Sequence, residues 1–426
     1  MNLRVTYKRG NDLEPATVTL PLSKSIEARR LLLSAVYVSS DLSDSSDSSD
    51  SEDIAVMRNA VSAYRLREPE IHLGSSGTAL RFMTALCAAT PGYQVTLHGT
   101  EQLKRRPLAP LLDVLRRMDA DIICKEKEGY APILINGRKL FGDLAASSSH
   151  PLSSLHSPLS TLYSLLHAES SQYLSALVLT EHLFATPLPP FSPEECSVSA
   201  PYLRLSIRMA QEQRSNYKSH SEPDWSAASY FYLAAMLTGR KVRIAPPLLP
   251  PERSLQGDAR CTEIFASFGV QTRYEETATL LLPGQIPAIE EPVTLDMSAI
   301  PDLVPAVAVA AAFAGRKMRL EGIAHLRVKE SDRLVSLSAP LAAMGFDVAA
   351  TDSALIINSS TPPLLHSSTP QLIDCHGDHR IAMAFAPCAA ALEGGITLLG
   401  AECVAKSFPA YYRQLAALSF NTEKTD

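Results

Sequence analysis

The sequence has no uninterrupted apolar run of the roughly 18 residues a membrane-spanning helix requires, so no span is expected. It has no CxxC pair. Its 7 cysteines (Cys87, Cys124, Cys196, Cys261, Cys375, Cys388 and Cys403) are scattered, odd in number and partly embedded in apolar runs. That pattern predicts reduced thiols in a cytoplasmic protein and argues against a disulfide or zinc framework. No His/Cys/Glu group has metal-ligand spacing, so no metal is expected. The one loop rich in glycine and small hydroxyls, Gly74 to Thr78, lacks the Gly-Lys-Ser/Thr end of a Walker loop. The first residues, Met1-Asn2-Leu3-Arg4-Val5, enter an alternating strand pattern at once, without a signal-peptide profile. A net charge of −6 argues against nucleic acid as a general partner. It leaves a small anion open, because local clustering decides that.

The chain does have length and apolar content. Its 426 residues, 46% hydrophobic and 20% charged, suffice for two or three domains with large cores. It also has recurrent knots of cations and small polar residues at expected helix starts. The densest runs from His325 to Arg333, after an apolar stretch (Met318 to Ile323) that reads as a buried strand. A helix is expected here, with Lys329 and Arg333 four apart on one face and Glu330 one step round. Two cations with a carboxylate beside them suit an anion and a proton transfer. A solvated helix start with charges paired in water accounts for the segment taken alone.

Other knots follow the same logic. In Ser23-Lys24-Ser25, with Arg29 one turn on, a serine is expected to cap a helix whose N-terminus attracts anions. An ordinary capped helix with surface bases explains it equally well. Gly77 and Thr78 open an apolar helix and leave room for a ligand against the backbone. Lys104-Arg105-Arg106 precede a helix expected near Pro107. Ser170, Ser171 and Gln172 precede an apolar helix, and capping is their simplest role. Pro201-Tyr202 opens another helix, and residues 211 to 222 read as a linker. Asp302 heads an apolar helix, where it is either an N-cap or a general base. Asp378-His379-Arg380 and Lys406-Ser407 stand at similar places. Two segments are biased: 39–53 is Ser/Asp-rich and predicts a flexible loop, its last residues capping the helix Ile54 to Ala63. Residues 146–167 are rich in Ser, Leu and His.

A helix followed by a strand repeats at Leu111 to Ile122, Ile264 to Val270 and Leu341 to Val348. Each is preceded by a very apolar helix: Thr78 to Ala89, Ser226 to Leu237 and Asp302 to Ala314. Repeated β-α-β units predict two pseudo-symmetric α/β halves whose helices are more buried than the outer faces of their sheets.

The ordered set of motifs resembles the 5-enolpyruvylshikimate-3-phosphate (EPSP) synthase family across most of the chain. It comprises Ser23-Lys24-Ser25 with Arg29, Gly77-Thr78-Ala79 with Arg81, Arg106-Pro107, Ser170-Ser171-Gln172 and Asp224 to Tyr230. It continues with Ile300-Pro301-Asp302, Arg327 to Arg333, Asp378-His379-Arg380 and Lys406 to Pro409. The resemblance implies transfer of the enolpyruvyl group of phosphoenolpyruvate to the 5-hydroxyl of shikimate 3-phosphate, with release of phosphate, in the shikimate pathway. It implies no metal and no organic cofactor, two small-molecule substrates, no nucleic-acid or membrane partner, and a cytoplasmic monomer. The implied fold is two similar domains, each of three β-α-β-α-β-β units with buried helices, an inside-out α/β barrel type. The implied boundaries are 18–222 for the first domain, and 1–17 with 223–426 for the second, with substrates bound between them.

By the same resemblance Lys24, Gly77, Arg106, Gln172, Arg333, Arg380 and Lys406 hold phosphoenolpyruvate, a place that the herbicide glyphosate also takes. Ser25, Arg29, Ser170, Ser171, Gln172, Tyr202, Asp302, His325 and Lys329 hold shikimate 3-phosphate. Asp302 and Glu330 are the expected proton-transfer carboxylates, with Lys24 sharing the proton traffic. His325 stands where the family usually has an asparagine, Leu22 where a glycine is common, and Ser75-Ser76 where Asn-Ala is common. Two other readings fit parts of the pattern. A sister transferase acting on UDP-N-acetylglucosamine would favour Lys-Asn at the first motif, where Lys24 is followed by Ser25. An inactive anion-binding relative would lack one of Lys24, Asp302, Glu330 or Lys406, and all four are present.

Overall fold

The computed structural model describes residues 1–10, 14–37, 51–142, 171–190, 200–214, 221–289, 291–358 and 368–425. Ser170, most of the acidic serine run and the segment 146–167 lie outside the described residues. The chain divides into two compact units, Lys24–Ser221 and Met1–Ser23 with Glu222–Asp426.

The discontinuous unit is built from one motif used three times. Its first sheet runs Ala16–Val18, Val242–Ile244, Thr279–Pro283, Val270–Tyr274. Its second runs Val293–Asp296, Met318–Glu321, Leu355–Ile357, Val348–Ala350. Its third runs Gln371–Asp374, Ile396–Leu399, Asn2–Tyr7, Phe420–Thr425. In each, the first two strands are parallel and the remaining pairings antiparallel. A parallel pair requires a crossover, and here an apolar helix supplies it: Trp225–Thr238, Val304–Phe313 and His379–Phe385 in turn. These helices are buried almost all round because they are apolar almost all round. They pack on one another, while each sheet turns one alternating face inward, with Val18 and Ile244, Leu320 and Ile357, Val5 and Leu398 in the same core. Among the described residues these sheets have four strands each and do not close into a barrel.

The second helix of each repeat ends in a residue with left-handed backbone before the next strand: Gly269 (φ 83°), Gly345 (φ 91°) and Ser419 (φ 68°). In the other unit Asp119 (φ 81°) has this place, between the helix Ala109–Arg117 and the strand Asp121–Cys124. The sequence repeat was therefore legible at Gly269 and Gly345, where glycine favours the turn. The third copy in the discontinuous unit escapes that reading, because Ser419 replaces glycine and Asn2–Tyr7 completes its sheet from the other end of the chain. Arg240 secures Ser419 by donating to its hydroxyl at 2.7 Å.

The unit Lys24–Ser221 repeats the plan. Helices Lys24–Val36, Gly77–Ala88 and Ser171–Thr180 pack together, and one sheet of order Glu70–His72, Gln94–His98, Ile133–Asn136, Asp121–Cys124 is present among the described residues. The expected linker at 211–222 is partly wrong, since the helix Ala200–Arg214 continues through its first residues. Its Gln-Glu-Gln-Arg end has adequate helix propensity, and Ile207, Met209 and Ala210 before it supply the packing face.

Candidate active site

In the discontinuous unit, the expected helix through Lys329 and Arg333 does not form. A 3-10 turn covers Ala324–Val328, Lys329 is extended (ψ −147°), and the helix starts only at Arg333. Asp332 is the reason: its carboxylate caps the helix by accepting from the Leu334 and Val335 N–H groups at 3.2 and 3.3 Å. Lys329 and Glu330 therefore lie on an irregular strap, not on a helix face.

The strap lets Glu330 meet Arg333 from outside the helix. Arg333 is 2% exposed and binds three carboxylates. Its Nε donates to Asp378 Oδ2 at 2.8 Å, Nη1 to Asp302 Oδ1 at 3.2 Å and Nη2 to Glu330 Oε2 at 2.8 Å. Burial opposes its charge, but Asp378, Glu330 and Asp302 outweigh burial and the neighbouring Arg380, raising its pKa. Lys406 Nζ lies 3.1 Å from Glu330 Oε1, and Arg380 Nη2 donates to Asp302 Oδ2 at 2.6 Å. Asp302 and Glu330 are thus each gripped by two cations from different turns of the chain.

Asp302 does not act as a side-chain N-cap. The 3-10 turn Pro301–Leu303 and the following helix have no side-chain cap there, and the carboxylate faces Arg333 and Arg380 instead. Asp378, by contrast, does both jobs. It caps the helix His379–Phe385 through the Arg380 N–H at 3.0 Å, holds Arg333, and accepts from the Ser331 hydroxyl at 3.1 Å.

Two neighbours titrate abnormally. His325 is 8% exposed, and its pKa is lowered to about 3, by burial first and Lys329 second. It is a neutral imidazole at physiological pH, and its Nε2 has no hydrogen-bond partner among the described residues. Asp258 is pushed up to about 7, by burial first and by Asp302 next, and the Ser226 hydroxyl donates to it. Sequence reading passed over Asp258 because a carboxylate in a Gln-Gly-Asp turn carries no periodic signal.

The other unit groups its cations differently. Lys24, first residue of its helix, pairs with Asp53 at 3.0 Å. Ser51 to Asp53 were expected to cap the next helix; Ser51 takes the N-cap position of the helix Glu52–Arg65, but its side chain makes no capping hydrogen bond. Arg29 is buried and, among the described residues, donates only to neutral oxygens: Ser206 Oγ at 2.7 Å, the Ser25 carbonyl at 2.7 Å, the Tyr202 carbonyl at 3.2 Å and Ser175 Oγ at 3.4 Å. Burial lowers its pKa to about 10, which leaves it charged at neutral pH. Ser25 and Tyr202 thus meet Arg29 through their backbones. Ser171 is buried as the first residue of the helix Ser171–Thr180.

Gly77, Arg106 and Gln172 come together around Arg81. Arg81 Nη1 donates to Gln172 Oε1 at 2.6 Å, and the Gln172 amide donates to the Thr78 hydroxyl at 3.0 Å, which fixes the amide's orientation. A Cβ placed on Gly77 would stand 3.0 Å from Arg81 Nη1 and 3.9 Å from Arg106 Cγ. Gly77 is not in the left-handed region. It is the first residue of a helix capped by Ser76, so no left-handed turn requires a glycine there. Among the described residues no group of three His, Cys, Asp or Glu side chains forms a metal site. No helix among them is long and apolar enough to cross a membrane.

The fold, helices inside and four-stranded β-α-β-α-β-β sheets outside, is that of the enolpyruvyl transferases. An EPSP synthase from Acinetobacter baumannii superposes with a TM-score of 0.64 at 20% identity, covering 100% of both chains. The enolpyruvyl transferase NikO from Streptomyces tendae gives 0.62 at 14% identity, covering 99% of this chain and 98% of that one. Within that class, residues 50–154 and 197–415 match the family model of EPSP synthase (3-phosphoshikimate 1-carboxyvinyltransferase). A 3-phosphoshikimate 1-carboxyvinyltransferase of Syntrophobacter fumaroxidans is 31% identical over 451 residues, 95% of this chain and 97% of its own length. The chain belongs to the EPSP synthase family.

Proposed function

We propose that this chain transfers the enolpyruvyl group of phosphoenolpyruvate to the 5-hydroxyl of shikimate 3-phosphate, releasing phosphate. Family membership supports the reaction. The observation that carries it to particular residues is the double grip on Asp302 and Glu330 by Arg333, Arg380 and Lys406.

The chemistry is an addition followed by an elimination. The 5-hydroxyl oxygen bonds to C2 of phosphoenolpyruvate while C3 gains a proton. C3 then loses a proton as the C2–phosphate bond breaks. Each step needs a base and an acid near the reacting atoms. Asp302 and Glu330 fill these roles, with Lys24 sharing the proton. Substrate phosphate and carboxylate groups compete with Asp302 and Glu330 for the same cations. Binding therefore frees the carboxylates to move protons only once substrate is in place.

In this reading Lys24, Gly77, Arg106, Gln172, Arg333, Arg380 and Lys406 hold phosphoenolpyruvate. Ser25, Ser170, Ser171, Gln172, Tyr202, Asp302, His325 and Lys329 hold shikimate 3-phosphate. Arg29, which the resemblance also assigns to shikimate 3-phosphate, is held in place by Ser206, Ser25, Ser175 and Tyr202. The reaction needs no metal or organic cofactor and is assigned to a cytoplasmic monomer. The test is phosphate release from phosphoenolpyruvate, expected only with shikimate 3-phosphate present. Release without it, or none in its presence, would refute the assignment.

A further inference from the structure

The run from Arg327 to Arg333 holds one cation to which the proposed chemistry gives no part, Arg327. It stands at the near end of the strap that presents Lys329 and Glu330. Its guanidinium donates three times: Nη1 to Asp332 Oδ2 at 2.6 Å, Nη2 to the Thr351 carbonyl at 2.6 Å and Nε to the Asp352 carbonyl at 3.2 Å. Asp332 closes the far end of the strap, and its other oxygen caps the helix Arg333–Ala343. The two carbonyls belong to the turn between the strands Val348–Ala350 and Leu355–Ile357. That turn is itself tied: the Thr351 N–H donates to the Ala354 carbonyl at 2.8 Å, and the Ile323 N–H to the Ser353 carbonyl at 3.2 Å. One side chain therefore fastens both ends of the strap to one hairpin.

We propose that Arg327 is a positioning residue for the transferase reaction, a brace that keeps Glu330 in place once substrate has taken the partners of that carboxylate. The inference rests on the function proposed above. In the ligand-free chain Glu330 is anchored through its own side chain, at 2.8 Å to Arg333 and 3.1 Å to Lys406. Both cations are ones that phosphoenolpyruvate engages in that reading. Bound substrate therefore weakens the anchor at the moment the carboxylate has to move a proton.

The brace uses neither of those cations. Its acceptors are Asp332 and two backbone carbonyls, none of them a group assigned to a ligand. The Arg327–Asp332 pair is partly exposed, and such a pair alone contributes little to stability. Three donors fixed in one plane act differently: they set the path of the strap between its two ends.

The test compares Arg327→Ala, Asp332→Asn and the double variant of the full chain. It reads turnover, Tm and the rate of cleavage after Lys329 by a lysine-specific protease. Asparagine keeps the capping oxygen but turns an amide N–H towards the guanidinium. In Arg327→Ala, kcat should fall by about tenfold or more, the scale of an ångström-size misplacement. KM for phosphoenolpyruvate should change far less, because Arg333, Arg380 and Lys406 are intact. Asp332→Asn should lower kcat in the same direction. The double variant should be no slower than Arg327→Ala, since the two residues act through one contact. Cleavage after Lys329 should quicken in all three. A kcat near that of the wild type in Arg327→Ala, losses that multiply in the double variant, or unchanged cleavage would each overturn the brace. Should Arg327→Ala fail to fold, Asp332→Asn decides, and normal kcat with normal cleavage there overturns it. A wild type that never turns over counts against the transferase assignment instead, and the cleavage rates still decide whether Arg327 holds the strap.

Discussion

The two units handle buried cations in opposite ways. In the discontinuous unit Arg333 faces Asp302, Glu330 and Asp378, and its neighbours Arg380 and Lys406 face two of the same carboxylates. Charge there balances, and what remains is a set of carboxylates whose partners can be exchanged. In the unit Lys24–Ser221, Arg29 and Arg81 donate to hydroxyls, carbonyls and an amide. Neutral acceptors satisfy the guanidinium geometry without cancelling its charge. One unit pairs its buried arginine with carboxylates, the other pairs its own with neutral oxygens.

The most severe way to break this contrast is to remove the carboxylate charge. Glu330→Gln and Asp302→Asn should each lower kcat by about 10²-fold or more. Shikimate 3-phosphate binding, measured by calorimetry, should survive Glu330→Gln. Near-normal turnover in either variant removes that carboxylate from the proton-transfer role.

A second test asks whether titration near neutrality belongs to the carboxylate-rich unit. His325 has a folded pKa of about 3 against an ordinary 6.5, so between these values the unfolded chain binds one more proton. Stability rises with pH across that window. Asp258 has a folded pKa of about 7 against 3.8, so the folded chain binds the extra proton and stability falls with rising pH. From about pH 4 to 6.5 the two slopes oppose and nearly cancel. Asp258→Asn should leave an added slope of about +1.4 kcal/mol per pH unit, and His325→Asn the reverse. Denaturant titrations at several pH values read this directly. Slopes in both variants that match the wild type would mean the environment of neither group is as described.

Much of the fold was legible because two copies of the repeat mark their turns with glycine, and because the crossover helices are apolar on every face. The third copy was hidden by Ser419 and by a strand taken from the start of the chain. Of the site, the cations and the pair Asp302 and Glu330 could be read from the ordered motifs. Their holders could not. Asp53 looked like the end of an acidic serine run that caps a helix, Arg81 entered only as part of the glycine motif with no partner assigned, and Asp258 was passed over. Each acts across a long sequence separation, and no local pattern reports that. The strap at Lys329 and Glu330 was misread because charges four apart favour a helix only where no stronger cap intervenes, and Asp332 is such a cap.

A smaller effect separates support from ligand contact in the unit Lys24–Ser221. Arg29→Lys keeps the charge but cannot reach Ser206, Ser175 and the Tyr202 carbonyl together. Leaving such buried acceptors unsatisfied should destabilise the unit by about 2 kcal/mol. The expected readout is a lower Tm with a modest change in KM for shikimate 3-phosphate. An unchanged Tm with a large KM effect would make Arg29 a direct ligand and undo its role as scaffold.

The smallest effect, and the most specific, is expected at Gly77. Were the glycine needed for a left-handed turn, alanine would destabilise the chain and weaken all ligands alike. Gly77 instead begins the helix Gly77–Ala88, where alanine is tolerated and even favoured. The added methyl meets Arg81 Nη1 at 3.0 Å, so the guanidinium must shift by a few tenths of an ångström. That same nitrogen holds Gln172 at 2.6 Å, and the displacement passes to the amide. Gly77→Ala should therefore raise the KM for phosphoenolpyruvate a few-fold with Tm unchanged or slightly higher. Glyphosate is longer than phosphoenolpyruvate, so its inhibition constant should rise by the larger factor. Both constants and the Tm decide the matter. A lower Tm with equal losses would return Gly77 to a purely structural role, whereas unequal losses at constant Tm place the ligand against Gly77 and its Arg81 support.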